Sequence, residues 1–324
     1  MESIKFIDLF CGIGGFRIAM DEACRENGII PECVFSSDID PFCQDSYEIN
    51  FGHRPAGDIT KIREKEIPDH DILFAGFPCQ PFSIIGQRQG FNDIRGTLFF
   101  DIARILKEKK PRAFILENVK QLVGHDKGKT LKVIIETLKE LNYHVQYAVL
   151  NALDYGLPQK RERVIIVGHR EPIFFSFPAP IRPFKPLSEI IEKNINDKHF
   201  ASDYIVQKRR ARHKSAYKLS IWHENKSGNI CSYPYSCALR AGASYNYLLV
   251  NGERRLTPRE MFRLQGFPDW YKIIDNDNQA RRQAGNAVPV NLVKAVILKL
   301  LPYVATTLDM NSILRDYEVS YSEK

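Results

Sequence analysis

The segment Gly76-Phe77-Pro78-Cys79-Gln80-Pro81-Phe82-Ser83 sets a cysteine between prolines on a loop. The loop follows residues 71–75, which read as a parallel strand, and open α/β sheets place their ligands beyond the carboxyl ends of such strands. A thiol with the ordinary pKa of about 8.5 is only a few per cent thiolate at neutral pH, so Cys79 needs a cationic or dipolar setting to act as a nucleophile. Two other segments carry matching groups. Glu117-Asn118-Val119 ends another strand-like run and offers a carboxylate at the same sheet edge, although a strand-terminal Glu also serves to cap the next helix. Gln159-Lys160-Arg161-Glu162-Arg163 puts fixed positive charge before the last strand, with Arg161 and Arg163 on one side. The plainer reading of that run is an exposed edge guarded by charge.

A fourth segment points to a bound cofactor. Asp8-Leu9-Phe10-Cys11-Gly12-Ile13-Gly14-Gly15-Phe16 has the form of a strand-to-helix turn whose glycines let the backbone approach a ligand. Asp38 follows roughly 20 residues on, at the end of the next strand, where a carboxylate can bind ribose hydroxyls. Asp58 is a further candidate. The turn lacks the complete G-x-G-x-x-G pattern, which suits a smaller adenosyl cofactor better than a dinucleotide.

Positioning these residues requires alternating strands and helices. Strands are predicted at 4–9, 32–37, 71–75, 113–117, 144–150 and 164–168, and helices at 16–27, 98–109 and 130–142, the pattern of a parallel sheet covered by helices. Five prolines between Pro172 and Pro186 mark a boundary. Beyond it, 232–250 suits loops and short strands, and 290–301 is an amphipathic helix able to pack back on the first unit. The expected division is 1–171 for the first part of a catalytic and cofactor domain, 172–257 for a smaller, mostly β or irregular domain, 258–285 for a connection, and 286–324 for the returning catalytic part.

The 324 residues, 44% of them hydrophobic, suffice for two domains and exclude a disulfide miniprotein or a disordered tail. No apolar run approaches the roughly 18 residues of a membrane span, and no export signal opens the chain. The seven cysteines lack zinc-type spacing, so reduced thiols and no metal are expected, with Cys24, Cys33 and Cys43 read as structural. The net charge of +7 is concentrated: residues 182–226 carry 11 Lys and Arg against 5 Asp and Glu. Charge alone leaves open whether this is a solvated face or a surface for a polyanion.

Taken together, FIDLFCGIGGF, GFPCQPFS, RGTLFFDIARIL, ENV, NALDYGLPQKRERV, RRLTPREMFRLQGFP and QAGNAVPVNLV resemble the ordered motif set of the cytosine-C5 DNA methyltransferases. The resemblance covers nearly the whole chain except about 172–251, and is nearest to the compact bacterial modification enzymes of the HhaI type. It implies a Rossmann-like α/β methyltransferase fold with a smaller target-recognition domain, S-adenosylmethionine as methyl donor and double-stranded DNA as substrate. It further implies a monomer in the bacterial cytoplasm, at the nucleoid, alongside a cognate restriction endonuclease.

The resemblance assigns roles residue by residue. Cys79 matches the nucleophile that adds to cytosine C6, Glu117 the carboxyl group at N3 and the exocyclic amine, and Arg163 the arginine at O2. Arg161 and Gln159 support the thiolate and loop geometry. Phe10, Ile13 and Gly15 surround the cofactor, Asp38 meets its ribose and Ile39 its adenine, with Asp58 and Ile59 at the adenine edge. Pro78, Leu98, Asn286 and Val288 complete that set. The target base would rotate out of the duplex, a segment at 83–99 would close over it, and Ser83, Gln87 and Arg95 would contact DNA. Lys208, Arg209, Arg210 and Arg212 would bind phosphates, and 232–247 would read base edges. Where the family often has Thr-Leu in its recognition loop this chain has Ala238-Leu239, leaving a phosphate contact to Arg240. A tRNA-methylating relative and a catalytically silent DNA-binding regulator are the alternatives; the intact Cys79, Glu117 and Arg163 set weighs against the second.

Overall fold

The computed structural model describes residues 2–78, 98–172 and 174–305. The chain runs β1 (Ser3–Leu9), α1 (Gly15–Glu26), β2 (Ile30–Ser37), α2 (Pro41–Phe51), β3 (Ile72–Gly76), α3 (Leu98–Lys109), β4 (Ala113–Val119), α4 (Lys129–Glu140) and β5 (His144–Asn151). The two-residue β6 (Gln159–Lys160) and β7 (Glu162–His169) follow. One six-stranded sheet has the order β2-β1-β3-β4-β7-β5. Along β1, Ile4 and Phe6 face one helical layer while Ile7 and Leu9 face the other, as the period of two demands. Helix α1 packs on the first face and α3 and α4 on the second, so both faces of the sheet are covered.

Strands β1 to β4 pair in parallel, but β7 is antiparallel to both β4 and β5, which corrects the expectation of an all-parallel sheet. The connection from β5 to β7 is too short for the crossover of a dozen or more residues that parallel pairing requires. The reversal brings the start of β7 to the ends of β3 and β4: Arg163 lies opposite Val119, and Ile165 opposite Glu117. Helix α2 has no counterpart among the predicted elements, although its signals are present. Asp40 accepts from the Phe42 N–H, Pro41 opens the first turn and Gly52 closes the helix in the left-handed conformation.

The proline-rich stretch stays strapped to the sheet. Phe175 is buried in its core, the Tyr155 hydroxyl donates to the Pro178 carbonyl, and the Lys185 N–H to the Gly156 carbonyl. Then come α5 (Asp203–Arg210), β8 (Ile221–Glu224), β9 (Ile230–Tyr233), β10 (Ser236–Cys237) and β11 (Leu248–Val250). Strands β11-β8-β9 form a small antiparallel sheet, and β10 pairs in parallel with β6, joining this region to the segment just before β7. The chain returns through α6 (Pro258–Leu264), α7 (Asp277–Asn286) and α8 (Val290–Leu300). Helix α8 lies on α1, with Lys294 bridging Glu22 and Glu26 at 3.0 and 2.7 Å. The helical run 277–303 is long and apolar enough to span a membrane, but 72% of its most apolar window is buried inside the protein.

Candidate active site

The turn between β1 and α1 forms one wall of a cleft of about 490 Å³. Phe10, Gly12 and Gly14 all have positive φ, and for Phe10 that is a strained conformation which the flanking structure must hold. The turn is fixed to β2 by the Cys11 N–H donating to the Ser37 carbonyl and the Gly12 N–H to the Asp38 carboxylate, at 2.9 and 2.8 Å. The other Asp38 oxygen accepts from the Asp40 N–H at 2.8 Å. Burial pushes the Asp38 pKa up against these two hydrogen bonds. Beneath the turn Asp8 is fully buried, with no protein partner for either carboxyl oxygen among the described residues, and burial raises its pKa strongly. Gly15 is needed for a close approach, because a Cβ there would come within 2.6 Å of Val288 on the returning segment.

Phe10, Ile13, Gly15, Asp38, Ile39 and Asp58 all line this cleft, together with Ile59, Pro78, Leu98, Asn286 and Val288. Ile39 is 72% exposed, an apolar plate at the mouth. Asp58 caps a short helical turn by accepting from the Thr60 N–H and hydroxyl, which lowers its pKa. Residues that no sequence motif assigned to the cofactor also line the cleft, among them Cys11, Cys43, Asn118 and Gln283. Asn118 belongs to the Glu-Asn-Val motif. Its amide donates to the Phe77 carbonyl at 2.9 Å, which fixes the strand end leading to Pro78 and Cys79.

Glu117 and Arg163 also line the cleft, diagonal neighbours on one face of the antiparallel pair. The Arg163 Nε is 2.7 Å from Glu117 Oε1. Burial raises the Glu117 pKa, opposed by Arg163 and then Arg161. Arg161 shares the wall, but its terminal nitrogens are committed to the carbonyls of Leu239, Gly285 and Ala287. Gln159 is fully buried and does not line the cleft. It accepts from the Leu239 N–H at 2.9 Å and donates to the Leu264 carbonyl at 2.9 Å, holding a neighbouring loop.

Cys79, Ser83, Gln87 and Arg95 lie outside the described residues. Of the segment expected to close over the substrate, Leu98 and Phe99 belong to α3, with Phe99 in the core. The basic cluster is corrected at one position. Arg209 is 2% exposed and bonded to Glu224 at 2.8 Å and to the Asn246 carbonyl, so it cannot present its charge to a polyanion. Arg210 pairs with Glu253, Lys208 lies over the Tyr204 ring at 5.9 Å, and Arg240 over the Tyr247 ring at 4.9 Å. Arg212 is exposed, near the Gly228 turn. Among the described residues no cluster of His, Cys, Asp or Glu could hold a metal ion.

A doubly covered α/β sheet with a glycine turn, a strand-terminal carboxylate and an acid–arginine pair at one edge defines a Rossmann-like methyltransferase fold. The solved S. pombe Dnmt2 methyltransferase shares that fold, with a TM-score of 0.71 at 21% identity over 92% of this chain and 98% of that one. The family model of C-5 cytosine-specific DNA methylase matches residues 4–301. Type II methyltransferase M.NgoBI of Neisseria gonorrhoeae is 55% identical, covering 90% of this chain and 91% of that protein. M.HhaI of Haemophilus parahaemolyticus is 40% identical, covering 91% and 94%. The chain belongs to the C-5 cytosine-specific DNA methylases, and it is a DNA (cytosine-5-)-methyltransferase.

Proposed function

We propose that the enzyme takes its methyl group from S-adenosylmethionine and places it on C5 of a cytosine rotated out of double-stranded DNA, as the modification partner in a restriction–modification system. The observation that carries this reading is the convergence, in one cleft, of the left-handed turn and Asp38 with the Glu117–Arg163 pair. The residues present fit the cofactor. The cleft has the volume of a small-molecule site, its floor is backbone held open by glycine, and Asp38, Asp58 and exposed Ile39 offer two carboxylates and an apolar plate. Phe10, Ile13, Gly15, Asp38, Ile39, Asp58, Ile59, Pro78, Leu98, Asn286 and Val288 would hold it. Bound there, S-adenosylmethionine supplies an electrophilic methyl group.

The protein's own task is to make C5 nucleophilic. Cys79 adds through its sulfur to C6, which turns C5 into the nucleophilic carbon of an enamine. Glu117, its pKa raised by burial, shares a proton with N3 as the adduct forms, and Arg163 steadies charge at O2 while holding Glu117 in place. Release of the C5 proton and elimination of the thiolate restore the aromatic ring. The region beyond the proline-rich strap, up to residue 257, serves for target recognition, with Arg240, Lys208 and Arg212 toward phosphates.

Labelled methyl incorporation into duplex DNA and into tRNA, using wild-type and Cys79→Ser protein, tests the reading. Incorporation into DNA alone, abolished in Cys79→Ser with DNA binding retained, is the expected result. Full turnover by Cys79→Ser would remove the nucleophile, and incorporation into tRNA instead would change the substrate. Bisulfite sequencing of DNA from expressing cells then locates the methylated cytosine.

A further inference from the structure

Arg161 is 1% exposed, and its hydrogen bonds run to three main-chain carbonyls in two distant parts of the chain. Its Nη1 donates to the Leu239 carbonyl at 2.9 Å. Its Nη2 donates to the carbonyls of Gly285 and Ala287 at 3.0 and 2.8 Å. Leu239 is held at its other end as well, since its N–H donates to Gln159, two residues before Arg161. From the far side, α7 presses on the same turn, where a Cβ on Gly285 would collide with the Ala241 backbone nitrogen. The Arg240 N–H is fixed at 3.0 Å to the Tyr247 hydroxyl, and Arg281 donates to the Ala243 and Ser244 carbonyls. The turn 239–241 is therefore clamped between residues 159–161 and the segment that carries Asn286 and Val288 into the cleft.

We infer that Arg161 is a positioning residue that sets the turn 239–241 against the cleft-lining segment 285–288, so that filling the cleft and gripping DNA are coupled through its guanidinium. Three carbonyls converging on two terminal nitrogens need the planar fork of arginine; a lysine ammonium is a single point of charge that cannot reproduce it. The third donor, Nε, is buried without a partner among the described residues. The arrangement is electrostatically costly, since burial and then Arg163 push the Arg161 pKa down to about 9 and its hydrogen bonds go to carbonyls rather than to a carboxylate.

The inference rests on reading the cleft as the cofactor site and 239–241 as a DNA contact. Its test measures binding of a duplex carrying the bisulfite-located site, with and without saturating S-adenosylhomocysteine, on the full chain. Wild type is expected to bind the duplex at least about fivefold more tightly when the cofactor product is present. Arg161→Lys keeps the charge but not the fork, and is expected to bring that ratio to about one at S-adenosylhomocysteine concentrations that saturate the variant. Gly285→Ala leaves Arg161 intact and displaces the turn instead; it favours the helix and should lose the same coupling. If Arg161→Lys does not fold, Gly285→Ala decides alone. A folded variant of either kind that keeps the wild-type ratio overturns the inference, as does a wild-type ratio of one with both ligands bound. A wild type that binds no S-adenosylhomocysteine overturns the reading of the cleft, and the inference with it.

Discussion

The carboxyl edge of the main sheet and the basic stretch 182–226 both look functional in sequence, and they spend their polar residues differently. At the sheet edge, strand order delivers Asp38, Glu117, Arg163 and the glycine turn into one cleft, whatever the sequence distance between them. In the basic stretch several charges are paired within the molecule, and one of them is buried. Arg209 is buried against Glu224, Arg182 pairs with Asp154 at 2.7 Å, Lys198 with Asp277 at 2.7 Å, and Arg210 with Glu253. A position at a strand end predicts a site because backbone topology fixes it, whereas a count of charges says nothing about which way the side chains turn.

That contrast can be broken at the sheet edge by Glu117→Gln, which keeps the shape but cannot exchange a proton at N3. Turnover of the folded variant should fall by about 10²–10⁴-fold; a fall below tenfold would demote Glu117 to a structural partner of Arg163. In the basic stretch, Arg209→Met should destabilise the fold by about 2 kcal/mol by leaving Glu224 without its partner, and should leave the salt dependence of DNA binding unaltered. Lys208→Gln with Arg212→Gln should do the opposite. Stability should change by less than about 0.5 kcal/mol, while the slope of log affinity against log salt flattens by about one for each phosphate no longer neutralised. A flatter slope in Arg209→Met would return the buried arginine to the DNA surface.

The smallest effect concerns the other end of the sheet. His169 is buried beside Tyr303, and burial pushes its pKa down to about 4. The folded protein holds it neutral while the unfolded chain binds a proton near the ordinary value of about 6.5. Its contribution is therefore complete above about pH 6.5 and declines as pH falls toward 4. Urea midpoints compared at about pH 7.5 and about pH 5, on either side of that ordinary value, should drop in wild type more than in His169→Phe; parallel drops would assign the acid sensitivity elsewhere.

Much of the sheet is legible in the sequence because β-branched runs and glycine turns follow local rules. Helix α3 matches its predicted span, and the cofactor-type residues in the described segments meet in one place. The direction of β7 is not legible from periodicity, which is the same for either pairing; only the length of the connection before it reveals the reversal. Helix α2 escapes a periodicity reading because its apolar residues are not gathered on one face, Phe42 and Ile49 being exposed while Cys43 and Tyr47 are buried, although Asp40-Pro41 and Gly52 announce its ends. Prolines suggest that the chain leaves the first unit at 172, whereas Phe175 and the Pro178 carbonyl are still packed against it. Arg209 illustrates the remaining limit, since burial of a charge depends on a partner 15 residues away and on the fold between them.

The return of α8 onto α1 bears on how the molecule is made. Lys294 meets Glu22 across 272 residues of sequence, and the cleft wall formed by Asn286 and Val288 arrives just ahead of the same helix. During synthesis the apolar face of α1 leaves the ribosome long before its cover does, and must stay exposed or be sheltered until the last helices emerge. Docking of α8 then buries that face and closes the cleft in one event. A nascent chain lacking α8 has no cover over α1 and nothing to hold Asn286 and Val288 against the cleft, so the cleft is finished only when folding is complete.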